Sequence, residues 1–386
     1  MAIPERVRSL DVLRGVVIVL MVIDHVRYFF SNARFDPTDP TQTTAALFFT
    51  RWVTHFCAPV FMLLAGAGAW LSLGRGRTRG EMSRFLLTRG LWLILLEVTV
   101  ARFGWQFNLD YGFTSALVFW ALGWSMIALA AMVWLPVPWI AALSLLMILG
   151  HNLFDGVEAG TWGSLGWLWT VLHQPGFLAL GPNAGVFMLY SLVPWIGVMG
   201  VGYAFGGLVQ LPAERRDRTF LLLGGALTLA FLVLRLGNWY GDPSPWTTQA
   251  AWWRTALSYL NTTKYPASLL FLLMTLGPAI AALPALERAR GRLADALLTF
   301  GRVPLFFWLL HVPLIHLVAL GFSLLHYGEV IPWLYRNPPT PRPDDYGYGL
   351  GVVYAVTIAV VIGLYPVCRW FAGVKRRRND SWLSYL

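Results

Sequence analysis

The sequence predicts an all-α fold: a polytopic membrane helix bundle of about ten transmembrane helices, with the N- and C-termini cytoplasmic and one domain over residues 1–386. Three observations carry this expectation. Of the residues, 57% are hydrophobic and only 12% charged, where soluble chains carry about a quarter charged residues. Apolar runs of spanning length recur along the whole chain, and a soluble fold would expose them to water. The basic residues are almost all Arg and sit in short clusters between those runs, a pattern that orients helices in a membrane. The net charge of +10 is read in that way, and no nucleic-acid partner is expected.

Taken in order, the expected spans cover residues 9–30, 47–73, 84–101, 113–134, 136–150, 185–209, 219–236, 265–284, 298–325 and 347–371. The first follows a charged pair and contains Asp11 and Arg14, and no small-residue cleavage site follows it, so it reads as a retained helix. The fourth and fifth are joined only by Leu135-Pro136-Val137-Pro138, where Pro ends one helix and begins the next; a single kinked hairpin is the alternative. The order is tested by charge. With the N-terminus inside, the cytoplasmic pieces carry Arg6, Arg8, Arg75, Arg77, Arg79, Arg84, Arg89, Arg215, Arg216, Arg218, Arg288, Arg290, Arg292 and Lys375 to Arg378, 17 in all. The opposite pieces carry five: Arg34, Arg102, Arg254, Arg336 and Arg342. Such an imbalance is the mark of a cytoplasmic face.

The longer outer loops, 151–184 and 237–264, hold His151, Asp155, Glu158, His173, Asp242, Lys264 and several Trp. Their Trp residues read either as an aromatic belt at the headgroup level or as a platform on which sugar rings stack. Cys57 and Cys368 are far apart in sequence and offer neither a disulfide framework nor a Cys-rich metal site. There is no HExxH, P-loop or GxGxxG signature, and no metal ligands are assigned.

Ionisable groups inside spans cost several kcal/mol and mark function or a partnered site. They cluster here: Asp11, Arg14, Asp24 and His25 on the first span, Arg51 and His55 on the second, Glu97 with Arg102 beyond it on the third, and Arg302, His311 and His316 on the ninth, while Arg235 is the main exception elsewhere. Arg14 and His25 are eleven residues apart, about three helical turns and about 16 Å of rise, so they share a face, with Asp11 close to it. That stripe suggests a passage lined within the bundle; an Asp11–Arg14 pair that only fixes the helix end is the plainer reading. Asp24 points about 100° from His25 and is not an obvious orienting partner. His55 and Glu97 are expected at similar depth, and a His oriented by a carboxylate is suited to taking a proton from a hydroxyl or amine. Cys57 falls nearly opposite His55, against a Cys–His pair.

The opening Arg8-Ser9-Leu10-Asp11-Val12-Leu13-Arg14-Gly15, running through Leu20-Met21-Val22 to Asp24-His25, resembles the first helix of the heparan-α-glucosaminide N-acetyltransferase catalytic-domain family. Ala58-Pro59-Val60-Phe61 with Leu64-Ala65-Gly66, Thr88-Arg89-Gly90-Leu91, Pro194-Trp195-Ile196-Gly197, and Phe300-Gly301-Arg302-Val303-Pro304 through Leu310-His311 extend the resemblance over most of the chain. Arg14 followed ten residues later by His25 is also similar to the signature of the broader membrane acyltransferases that acylate envelope glycans. The resemblance implies transfer of an acetyl group from cytoplasmic acetyl-CoA to a sugar or amino-sugar acceptor on the far side of the membrane, and the short loops between spans fit a compact chain of a bacterial inner membrane. The resemblance also implies His25 as the essential His, with Arg14 and Asp11 supporting it or the donor, and the placement of charges in the spans adds His55, Asp24 and Glu97 to the candidate catalytic set. Donor binding would fall to Arg14, Asp11, Arg84, Arg89 and Arg302, since Arg forms bidentate, charge-assisted bonds to phosphate. Eukaryotic members carry a His in the loop after the first helix, whereas residues 31–46 here contain none, so that role falls to His25 or His55. The expected partners are acyl-CoA, the acceptor and the bilayer, with a homodimer left open. The alternative is a proton-coupled transporter or flippase in which the same charges line a substrate path.

Overall fold

The computed structural model describes residues 7–74, 76–337, 340–378 and 380–385; Arg6 and Arg75, counted above among the basic loop residues, lie outside the described residues. Its helices are α1 (Arg8–Phe30), α2 (Ala45–Trp52), α3 (Cys57–Leu73), α4 (Arg79–Leu96), α5 (Arg102–Gln106), α6 (Val118–Met132), α7 (Val137–Gly150), α8 (Gly166–Leu172), α9 (Leu192–Val209), α10 (Ala213–Gly237), α11 (Trp252–Leu260), α12 (Leu269–Arg288), α13 (Arg292–Arg302), α14 (Pro304–Tyr327) and α15 (Leu350–Arg377). Among the described residues, seven helical segments are long and apolar enough to cross a membrane: the continuous α2–α3 run, α7 with its 3-10 extension, α9, α10, α12, α14 and α15. α6 is apolar but shorter, and α1 and α4 stand apart because each carries several charged residues.

Two expectations are corrected, and the separation of the fourth and fifth spans holds. The fold is not purely helical: β1 (Phe113–Ala116), β2 (Gly176–Gly181) and β3 (Ala184–Met188) form a sheet in the order β1-β3-β2, with β1 parallel and β2 antiparallel to β3. The expected fourth and sixth spans therefore begin as strands, because a short apolar run reads equally as strand or helix from periodicity alone. The Pro-linked fourth and fifth spans are two helices, with Pro136 capping α7. The ninth is broken at Val303 (φ −131°, ψ 49°), because Pro304 disfavours the helical conformation at the residue before it.

α1 lies between two apolar cores. Leu10, Leu13, Val17 and Met21 belong to the core built with α3, α4, α6, α9 and α12, while Ile18, Val22, Val26, Phe29 and Phe30 belong to the one built with α14 and α15. A helix covered on both sides keeps its polar stripe within the bundle rather than in lipid, as such groups at membrane depth require. Its crossing with α13 needs two glycines: a Cβ on Gly15 would overlap the Leu297 carbonyl, and one on Gly301 the Asp11 carbonyl. Small residues allow such backbone approach between membrane helices. Gly15→Val is expected to cost at least about 1–3 kcal/mol, the range for overpacking, read as a lowered thermal midpoint in detergent; an unchanged midpoint would refute the tight crossing.

Two buried polar clamps shape the segments beside the bundle. α4 ends in a π-helical turn, Glu97–Ala101, and continues into α5, so Glu97 is re-aimed at a neighbouring helix. Arg235, near the end of α10, is fully buried and donates to the carbonyls of Ser244 (2.8 Å), Tyr259 (3.1 Å), Ser258 (3.3 Å) and Asn261 (2.5 Å). Asp242 accepts from the Thr263 amide (2.9 Å) and the Ser268 hydroxyl (2.8 Å). The exceptional charge of the seventh span thus organises the loop that carries Lys264.

Candidate functional site

The stripe predicted on α1 opens into two cavities. Arg14 lines one and His25 the other. Near the second, the sequence-adjacent Asp24 and His25 take different partners, as their 100° separation on the helix requires. Asp24 accepts from Arg27 at 2.8 Å and from Arg51 of α2 at 2.7 Å. His25 Nδ1 lies 2.7 Å from Nε2 of His311 on α14.

Hydrogen bonds assign the tautomers of this pair. His311 Nδ1 lies 2.8 Å from the Trp308 carbonyl oxygen and 3.2 Å from that of Phe307, so it carries the proton and donates. Nε2 of the neutral His311 is then an acceptor, and His25 donates to it from Nδ1. The lone pair of His25 is left on Nε2, the protonation state required of a general base. Trp105 and Trp308 meet the His25 ring edge-on, with centroids 4.9 and 6.3 Å away, and restrict its rotation.

The His25 cavity has a volume of about 480 Å³. Its walls are aromatic and charged: Trp105, Trp308, Trp333 and Tyr265 stand among Asp24, Arg27, Arg51, Arg102 and Lys264. The sheet forms part of its rim through Ser115 and Phe187. Arg102 is held by the Asn108 carbonyl, by the Asn108 side chain at 2.6 Å and by the Asp110 carbonyl, and its guanidinium covers the Tyr111 ring at 4.3 Å.

The Arg14 cavity, about 370 Å³, is lined by five cationic residues, Arg14, Arg77, Arg89, Arg302 and Lys375, together with apolar side chains of α3, α4 and α6. Arg14 donates to Asp11 at 2.8 Å and to the Gly301 carbonyl at 3.2 Å, which holds its guanidinium at the α1–α13 crossing. Arg77 covers the Phe85 ring at 4.5 Å. Trp308 and Val118 line both cavities, so the cationic chamber and the histidine chamber meet at these two side chains.

Of the residues singled out from sequence, His25 and Asp24 line the histidine cavity, and Arg14, Arg89 and Arg302 line the cationic one, with Asp11 bonded to Arg14. Three take other positions. Arg84 is exposed on α4 and lines neither cavity. His55 is buried on a 3-10 turn, packs edge-on against Phe271 (5.4 Å) and lines neither cavity. Glu97 does line the histidine cavity, but its Oε2 accepts from the amides of Phe119 (2.7 Å) and Trp120 (3.0 Å). It satisfies the first turn of α6, whose N-cap residue Leu117 has no side chain able to do so. Cys57 donates to the Val17 carbonyl at 3.2 Å, apart from His55 as expected.

Sequence reasoning noted His311, Arg51, Lys264 and Lys375 as ionisable without placing them in the site. The His25–His311 pair joins segments 286 positions apart, which helical periodicity does not reach. Trp162, Trp167 and Trp252 of the outer loops are exposed and line neither cavity, and the indole rings that line the histidine cavity are Trp105, Trp308 and Trp333. A family model described as heparan-alpha-glucosaminide N-acetyltransferase, catalytic, matches residues 6–239. No curated protein matches the chain.

Proposed function

The chain belongs to the heparan-α-glucosaminide N-acetyltransferase catalytic family, a membership that supports a transmembrane acetyltransferase, and we propose that it moves the acetyl group of acetyl-CoA to the amine or hydroxyl of a sugar on the opposite side of the membrane. The observation that carries this reading is the junction of a five-cation chamber with a chamber holding the His25–His311 pair.

The cationic chamber fits the donor. CoA carries several phosphate charges, which Arg side chains meet with bidentate bonds, and the apolar wall of the same chamber suits the pantetheine arm. A thioester reaching Trp308 would present its carbonyl beside His25. The acceptor ring fits the other chamber, where Trp105 and Trp333 offer apolar faces for stacking. His25 Nε2 then takes the proton from the acceptor amine or hydroxyl as that atom attacks the thioester carbonyl. The C–S bond breaks, the CoA thiolate leaves, and the proton held on His25 returns to it. His311, itself fixed by two carbonyls, is the positioning residue that keeps the lone pair of His25 on Nε2. Asp24, bonded to Arg27 and Arg51, sets the charge of the wall without touching His25 through a hydrogen bond.

In this reading α1, the α4–α5 run and α6 complete ten crossings, both termini are cytoplasmic, and the protein resides in a bacterial inner membrane. The cationic chamber then faces the cytoplasm, the source of acetyl-CoA. The test uses protein reconstituted in sealed vesicles, with acetyl-labelled acetyl-CoA on one side and an amino-sugar glycoside on the other. Labelled acceptor appearing only with both present, and only in protein-containing vesicles, is expected. Movement of the glycoside across the vesicle without any donor requirement would replace this reading with transport.

A further inference from the structure

We infer that His151, Asp155 and His173, none of which lines the His25 chamber, form a binding site for a divalent transition-metal ion of the zinc class. One ligand atom from each lies within 4.8 Å of the others. His173 Nε2 is 3.5 Å from Asp155 Oδ1, and the two imidazole centroids are 5.6 Å apart. His151 and His173 are each only 4% exposed. Both ring nitrogens of His151, and Oδ1 of Asp155, are buried without a hydrogen-bond partner. Buried polar atoms left unpaired are destabilising, and one cation at the centre of the cluster would take up one nitrogen of His151 together with Asp155 Oδ1.

The donor chemistry selects the ion. Two imidazoles and one carboxylate are the nitrogen and oxygen ligands of zinc, which binds them at about 2.0–2.2 Å and takes a water as a fourth ligand. Calcium and magnesium prefer oxygen-only shells. Tetrahedral ligands at that distance lie about 3.3 Å apart, so the three donors need only a small side-chain contraction. The support around them is in place. The second oxygen of Asp155 accepts from Asn152 Nδ2 at 2.8 Å, and Asn152 Oδ1 accepts from the Leu269 amide at 2.9 Å. Trp169 packs against His173 at 4.9 Å. Groups that orient ligands in this way are the usual companion of a metal site.

The ion would act on the loop that carries its ligands. It ties the turn after α7 to the residue that ends α8, closing the loop 151–173, and the β2–β3 hairpin that follows forms part of the His25 chamber rim. An ion bound only in the folded loop stabilises that loop by its binding free energy. Sequence spacing did not point to it, because an i,i+4 His–Asp pair with a second His eighteen residues later matches no standard zinc signature.

The test is metal content of the full chain, without a polyhistidine tag, in nanodiscs after chelator treatment, zinc re-addition and desalting. The expected result is about one zinc per chain for the wild type, falling at least about tenfold in His173→Ala and in Asp155→Asn, with His326→Ala unchanged. Magnesium or calcium added alone should not be retained. Where an alanine variant fails to fold, cobalt replaces zinc in the wild type, and the visible absorption of a four-coordinate nitrogen–oxygen site is expected. Wild type that retains no zinc overturns the inference. So does zinc that survives His173→Ala and Asp155→Asn but is lost in His311→Ala, since the ion would then sit at the His25–His311 pair.

Discussion

His25→Ala is expected to lower acetyl transfer by about 10²–10⁴-fold, the usual contribution of a positioned general base, while leaving acetyl-CoA binding near the wild-type value. The two readouts separate chemistry from binding because His25 lines the aromatic chamber and not the five-cation one. His311 is the sharper test. It acts by accepting the Nδ1 proton of His25 at 2.7 Å, so His311→Leu should reduce kcat by about 10–100-fold, the range for a lost orienting partner, with KM for both substrates little changed. His311→Gln places a carbonyl oxygen where an acceptor is needed and should recover part of the loss. A merely structural role would give equal losses for Leu and Gln. His25→Ala enzyme retaining more than about a tenth of wild-type activity would remove the base role, because even a modest general base contributes more than that.

The second large effect is expected in the cationic chamber. Each charge-assisted hydrogen bond contributes about 1.5–3 kcal/mol, so Arg302→Gln and Arg89→Gln should each weaken acetyl-CoA binding by about 10- to 150-fold, measured by calorimetry in nanodiscs. Arg14 carries two roles, since it bonds Asp11 and the Gly301 carbonyl as well as lining the chamber. Arg14→Ala should therefore weaken donor binding and also lower the thermal midpoint by removing the Arg14 bond to buried Asp11, whereas Arg14→Lys should retain the fold and lose only the guanidinium's capacity for bidentate bonds to phosphate. Arg84→Gln, exposed on α4, is the internal control and should bind acetyl-CoA as the wild type does. Binding unaffected by all of Arg14, Arg89 and Arg302 would rule out this chamber as the donor site.

The stripe on α1 was legible because it is local. Three helical turns separate Arg14 from His25, and the structure accordingly puts one in each of two cavities that meet at Trp308. The same local geometry separated Asp24 from His25 and Cys57 from His55, and the structure keeps both pairs apart. His55 and Glu97 were harder to place, since depth in the membrane is a single coordinate and says nothing about which way a neighbouring helix is turned. A π-helical turn rotates Glu97 onto the α6 amides, and a 3-10 turn buries His55 against α12.

By itself, then, the sequence determined the helical membrane class, the landmarks of the family and the shared face of Asp11, Arg14 and His25, all of which follow from hydropathy, charge and the 3.6-residue repeat. Only the tertiary structure decided that His311 is the partner of His25, that Glu97 closes the end of α6, and that apolar runs at 113 and 185 begin as paired strands. These outcomes depend on contacts between segments distant in the chain, and a hydrogen bond between two side chains is specified by the packing of both their elements rather than by the order of residues in either.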